Sequence, residues 1–379
     1  MQQFLALVLM SLIFYSSSFA QSPIDTLSAK KPGSVIAKPV LKDNKGHSLL
    51  AFPVATRSIE TGWSFGAATS YTFHISKNDT ITRTSNAQAL MLYSLKKQLI
   101  AALNGSIYLP KEKYILNFLA SYSYFPDNFW GLGKYTPDAA KTSYTFQQYY
   151  IYLHLMRNLG HNLFLGMMYE QQNLLKIKYD QGDLLDREQI TGRKGYLVSG
   201  TGLSFTYDSR NNAFSPDKGY FGQIFFNHFD KIFGSDYNYT NVVVDLRMFK
   251  KIYKGQVLAI QVFSFNNFGN HVPLRSLASF GGSNSMRGYY DGRYRDQNQL
   301  VVQAEYRIPI IGRLGAVGFA GSGDVAHTTT DYQLNSLKYS FGGGLRFALD
   351  KKEKLNLRID YGIAKGNNRG LYFQLGEAF

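Results

Sequence analysis

The chain has 379 residues, with 28 tyrosines, 28 phenylalanines, 35 glycines and no cysteine. The lack of thiols excludes a disulfide scaffold, thiolate metal sites, cysteine nucleophiles and lipid attachment through an N-terminal cysteine. A formal net charge of +15 comes without a basic helix or a nucleic-acid fingerprint, so no nucleic-acid partner is expected, and basic rims facing anionic lipid phosphates are the simpler account.

The chain opens with "MQQFLALVLMSLIFYSSSFA", an apolar run from Phe4 to Tyr15 followed by Ser18 and Ala20 at the −3 and −1 positions of a signal-peptidase site. Residues 1–20 therefore read as a signal peptide, although no Lys or Arg precedes the run. The run is too short for a membrane-spanning helix, and no other segment comes closer. Residues 21–47 hold Pro, Lys, Ser and Gly without a sustained period. They read as a flexible periplasmic tail, shorter than the roughly 40 residues at which a domain stands alone. One domain follows, spanning 48–379.

Within that domain the dominant period is two. Val302, Ala304, Tyr306 and Ile308 alternate with Gln303, Glu305 and Arg307; Tyr339, Phe341, Leu345 and Phe347 alternate with Ser340, Gly342, Gly344 and Arg346. In the next segment Leu357, Ile359, Tyr361 and Ile363 alternate with Arg358, Asp360 and Gly362. Composition and alternation leave two classes open, a transmembrane β-barrel and a large soluble β-sandwich or propeller, because either can place the charged face in water. Connection lengths separate them. Sixteen strand-like segments begin near residues 48, 62, 85, 98, 112, 143, 161, 195, 218, 237, 255, 297, 315, 336, 353 and 371. Mostly short turns follow the even-numbered segments, and the long insertions follow odd-numbered ones. That arrangement predicts an all-β, sixteen-stranded antiparallel transmembrane barrel. At the end of the chain, "LYFQLGEAF" sets Leu371, Phe373, Leu375 and Phe379 on one face, with Gly376 and Glu377 between. A terminal strand closing on Phe resembles the C-terminal signal of bacterial outer-membrane barrels, carried here by Phe373, Leu375, Gly376 and Phe379.

The segment "GGSNSMRGYYDGRYRDQNQLVVQAEYRIPI", from Gly281 to Ile310, resembles the signature of the BamA/TamA superfamily of outer-membrane barrels, also called bacterial surface antigens. Its Arg287-Gly288-Tyr289 is similar to the family's Arg-Gly-aromatic motif in the sixth extracellular loop, which folds into the lumen. Upstream, "YDSRNNAFSPDKGYF" resembles the family's turn motif through Asp208, Arg210, Pro216 and Gly219. The resemblance implies a lumenal latch formed by Arg287, Gly288, Tyr289, Arg293 and Arg295. A guanidinium inside a barrel needs a carboxylate, and Glu305, on the polar register of its strand, is the expected partner. Gly288 would let the backbone approach the wall, Tyr289 would cover the pair from water, and Arg293 and Arg295 would reach wall carboxylates such as Asp360 or Asp245. Where the family carries a second acidic residue in "FAGSG", this chain has Gly321, and the nearby Asp324 has the wrong parity to replace it. The latch is thus expected to be anchored by Glu305 alone. The family's periplasmic POTRA domains have no counterpart here, so the chain resembles the barrel-only subgroup.

No catalytic constellation stands out. The seven histidines lack metal-ligand spacing and read as interfacial or loop residues. "GGSNSMRG" is followed by no GK[ST] and opens no helix, so it is not a phosphate loop. Trp63 and Trp130 read as membrane-interface anchors. No cofactor and no metal are expected. The resemblance implies assistance in inserting, assembling or translocating proteins or lipids at the outer membrane of a Gram-negative bacterium, with a gate between the first and last strands. A closed, narrow diffusion channel or a structural subunit is the alternative, and an outer-membrane enzyme a third. Expected partners are outer-membrane lipids and lipopolysaccharide, a periplasmic protein supplying the POTRA-like function, and a second copy in a homodimer.

Overall fold

The computed structural model describes residues 41–42, 48–75, 82–212, 215–350 and 354–379. The expected signal peptide and all but two residues of the 21–47 tail ahead of the barrel lie outside the described residues. Sixteen strands form the wall: β1 (Ser48–Ser58), β2 (Gly62–Phe73), β3 (Ser85–Ser94), β4 (Leu99–Tyr108), β5 (Tyr114–Phe129), β6 (Thr142–Gly160), β7 (Leu163–Lys178) and β8 (Tyr196–Asp208). They continue as β9 (Gly219–Phe229), β10 (Tyr239–Lys251), β11 (Val257–Phe268), β12 (Asn298–Ile311), β13 (Leu314–Ala326), β14 (Lys338–Asp350), β15 (Leu355–Ala364) and β16 (Asn368–Leu375). Each pairs antiparallel with the next, and β16 meets β1 to close the barrel.

Alternation decides which way each residue faces, because successive side chains of a strand point to opposite sides of the sheet. Tyr339, Phe341, Leu345 and Phe347 of β14 stand outward, while Ser340 and Arg346 are buried inside; in β15, Ile359, Tyr361 and Ile363 stand outward while Arg358 and Asp360 are buried. The outer surface is therefore an apolar band, and the charges line the lumen. Short turns at 109–113, 252–256 and 312–313 mark one rim, and loops at 130–141, 179–195, 269–297 and 327–337 mark the other. The ends of β2 and β3 and the ends of β8 and β9 meet at the short-turn rim.

Two sequence expectations need correction. Trp130 is 7% exposed and sits beneath the loop rim, with ring centroids 5.2 Å from Tyr290. Its place in the 130–141 loop, which folds across the barrel mouth, takes it off the lipid face. His154 is neither a loop nor an interface residue. It is buried on the inner wall, bonded to Ser204 Oγ at 2.7 Å.

Candidate functional site: the lumenal loop and the seam

The loop 269–297 joins β11 to β12 and turns back into the barrel. Its stem is a short hairpin, Ala278–Phe280 against Tyr294–Asp296. Phe280, Met286, Tyr289 and Tyr294 pack with Val301, Val325 and Ala364 into a dry cluster that fixes the tip. Gly288 has φ +114°, and a Cβ there would lie 3.0 Å from the backbone of Ile363. Only glycine lets the loop lie this close to the wall.

The tip delivers Arg287, 2% exposed, into a set of buried charges. Its Nη2 donates to Glu305 Oε1 at 2.6 Å and its Nη1 to Asp360 Oδ2 at 2.5 Å. The guanidinium centre lies 3.5 Å from the centroid of Phe319, a cation–π contact in a site without water access. The charges continue around a closed circuit. Arg307 meets Glu305 Oε2 at 2.9 Å and Glu377 at 3.7 Å. Arg346 then links Glu377 at 2.7 Å to Asp360 at 2.5 Å. Arg358 adjoins the ring, 3.6 Å from Asp360, and donates to Asn284. Each carboxylate touches two guanidinium groups, so removing one cation leaves its carboxylates only partly compensated in a low-dielectric interior.

The structure revises several sequence expectations here. Arg287 has two carboxylate partners, not Glu305 alone, because Asp360 on β15 supplies the second. Gly321 faces the loop tip, and a Cβ there would lie 3.1 Å from Met286 Sδ, so the methionine fills the space. Tyr289 does not cover the ion pair. It packs in the dry cluster, and its hydroxyl bonds to Tyr339 O and Lys365 N; Phe319 is the ring that lies over Arg287. Arg293 and Arg295 do not reach Asp360 or Asp245. Arg293 donates to Asp138 at 2.6 Å and to Thr136, and Arg295 donates to Asp127 at 3.4 Å and to Gly292 O. Both tie the loop stem to the β5–β6 side of the mouth. Asp245 is instead paired with Arg247 at 2.5 Å. Asp324 bonds Ser336 and Lys338, apart from the ring.

The turn motif lies on the short-turn rim. Arg210 grips Asp208 at 2.8 and 2.6 Å and covers Phe221 at 4.6 Å, and Gly219 opens β9. Pro216 O accepts from Arg307 Nη1 at 3.4 Å, which joins the turn to the ion ring. The C-terminal segment also differs from expectation. Phe379 does not share an outward face with Leu371. Gly376, at φ +76°, bends the chain inward, so Glu377 enters the ring and Phe379 packs on Phe249 and Ala259 inside the barrel.

Closure at the seam is slight. Among the described residues, strands β16 and β1 share a single registered pair, Phe373 with Arg57, supplemented by Gln374 Nε2 donating to Arg57 O at 3.4 Å and by Phe373 and Trp63, on β2, with centroids 6.0 Å apart. The lumenal loop bonds both sides of this join. Gly288 N donates to the hydroxyl of Tyr372 on β16 at 3.0 Å, and Asp291 N donates to Glu60 Oε1, in the β1–β2 turn, at 2.8 Å. Glu60 and Asp291, both in rim loops, are pushed upward in pKa chiefly by burial, Asp291 to about 8, and the neighbouring carboxyl adds to the rise in Asp291. Neither Glu60 nor Tyr372 was singled out from the sequence. For Tyr372 a signal existed, since it is an aromatic on the polar register of its strand.

Comparison with known proteins bears on this geometry. Residues 61–379 match the Omp85 superfamily domain. The chain belongs to the Omp85 superfamily. BamA from Haemophilus ducreyi lacking POTRA domains 1–3 is similar in structure, with a TM-score of 0.60 at 14% identity over 88% of this chain and 71% of that one. CdiB from Acinetobacter baumannii gives 0.57 at 13% identity over 88% of this chain and 60% of that one, and CdiB from Escherichia coli gives 0.59 at 11% identity over 89% and 63%. The chain thus spans about three fifths of the length of the two CdiB proteins. At these identities the likeness is one of fold. No curated protein matches the sequence. Among the described residues no cluster of three His, Cys, Asp or Glu is arranged to hold a metal ion.

Proposed function

We propose that this Omp85 barrel resides in the outer membrane of a Gram-negative bacterium and helps insert, assemble or translocate proteins there. One observation carries the reading: the wall closes through a single registered pair, Arg57 with Phe373, while a buried loop bonded to both sides holds it shut. Residues Leu41 and Lys42 pair with Leu49 and Ser48 at one end of the β1 edge, and the seam's few ladder bonds leave the rest of that edge, and that of β16, available for a polypeptide to pair with. Arg287 and its carboxylates serve as the latch, with Glu305 and Asp360 on the wall. Asp208, Arg210, Pro216 and Gly219 brace the opposite rim, and the inward-turned C-terminus connects latch to seam. The occupied lumen weighs against a steady diffusion channel, and no residue is assigned a catalytic role.

The test is a strain lacking the chain, compared with wild type in its inventory of outer-membrane proteins and lipopolysaccharide, and complemented by a variant with cysteines at positions 57 and 373. Loss of specific outer-membrane proteins, restored by the wild-type chain and by the reduced cysteine variant but not by the oxidised one, is the expected result. An unchanged inventory, or full activity with the seam cross-linked, overturns the proposal.

A further inference from the structure

The outer wall carries a groove of about 790 Å³ where the apolar band is interrupted. Its floor follows the ladder. Leu258 pairs with Tyr306, Tyr306 with Gly318, Gly318 with Gly343 and Gly343 with Tyr361, a row that crosses β11 to β15 on the outward face. Gly318 and Gly343 leave the floor bare, with no atom within 4 Å of a Cβ built at Gly318, while Tyr306, Phe341 and Tyr361 form the walls.

Charge marks one end of this row. Lys250 stands in register beside Leu258 and is exposed on the outward parity of β10. The two turns closing these strands on the short-turn rim, 252–256 and 312–313, hold the exposed Lys254 and Arg313. Lys251 and Lys354, nearby on the same rim, are already engaged with Asp217 at 3.2 and 2.6 Å, and Arg313 Nη1 donates to Ala348 O and Leu349 O at 3.2 and 3.1 Å, which leaves Lys250 and Lys254 facing the lipid side. The row therefore runs from a cationic rim into the apolar band. Along this row the backbone pairs without a break from β12 to β15, so it offers no edge to a peptide strand.

We propose that this groove binds one anionic diacyl phospholipid from the leaflet on the short-turn side, with an acyl chain along Gly318 and Gly343 and the phosphate against Lys250 and Lys254. The inference rests on the membrane-spanning reading above and names a lipid partner for the wall opposite the latch. An acyl chain fits a bare apolar floor between aromatic walls, and basic side chains near a membrane surface attract anionic headgroups. Lipid A, zwitterionic lipid and a partner protein's helix are the competing occupants.

The test is native mass spectrometry of the full chain, purified in mild detergent and incubated separately with dioleoylphosphatidylglycerol, dioleoylphosphatidylethanolamine and lipid A. Wild type is expected to retain one phosphatidylglycerol about tenfold more strongly than phosphatidylethanolamine, and the double variant Lys250→Gln, Lys254→Gln to lose most of that preference. Gly318→Phe, which points into open space, is expected to lose retention of phosphatidylglycerol while keeping the heat-modifiable gel mobility of a folded barrel. Equal retention of the two phospholipids by wild type, preference for lipid A, or retention unchanged in the lysine variant overturns the proposal. The readout requires no transported substrate, so its failure and a failure of the assembly test are separate results.

Discussion

Arg287 Nη1 lies 2.5 Å from Asp360 Oδ2, and this contact joins the lumenal loop to β15, a strand next to the seam. Glu305 ties the same guanidinium to β12. One side chain thereby bridges wall strands separated by β13 and β14, and a loss at the loop tip is felt on both sides.

Arg287→Ala should destabilise the folded barrel by roughly 3–5 kcal/mol, because Glu305 and Asp360 each lose a buried charge-assisted hydrogen bond of about 1.5–3 kcal/mol and keep only Arg307, Arg346 and Arg358 as cations. Urea titration followed by gel mobility of the folded form measures this. Arg287→Lys should recover only part, since one ammonium cannot reproduce the two-armed contact.

Restoring the family's acidic residue should not help. Gly321→Asp introduces a Cβ 3.1 Å from Met286 Sδ and 3.2 Å from Gln303 Cβ, and overpacking of this kind costs about 1–3 kcal/mol. The same urea titration applies, and a variant more stable than wild type would contradict the reading that Met286 occupies that space.

Seam closure should depend on Tyr372 and Glu60 more than on the ladder. Tyr372→Phe removes the acceptor for Gly288 N, and Glu60→Ala removes the acceptor for Asp291 N. Each should cost about 1–3 kcal/mol as a buried donor loses its partner. The expected readout is faster amide hydrogen exchange in β1 and β16, with β6 and β7 unchanged.

Docking of the loop rim should strengthen as pH falls. The carboxyls of Asp291 and Glu60 titrate higher in the fold than in the unfolded chain, so the fold binds more protons above their ordinary values, in the case of Asp291 up to about 8. Their contribution is fully present below the unfolded pKa and is lost as pH rises through the folded one. Protection of residues 281–296 from proteolysis should therefore be greater at about pH 6 than at about pH 9, and Asp291→Asn should flatten the difference.

Much of this protein was legible from local pattern. A period of two, interrupted by turn residues, places all sixteen strand starts within three residues of those observed, because side-chain alternation is a property of the strand itself and needs no partner. The same parity separated the outward Tyr361 from the inward Asp360. The pairings across the lumen were decided only by tertiary structure. Asp360 rather than a residue at position 321 meets Arg287, Arg293 and Arg295 turn to Asp138 and Asp127, and Phe379 bends inward through Gly376. Parity states which face a residue is on, but strand stagger and loop path determine which inward groups meet across a closed barrel, and those emerge only when the ring closes.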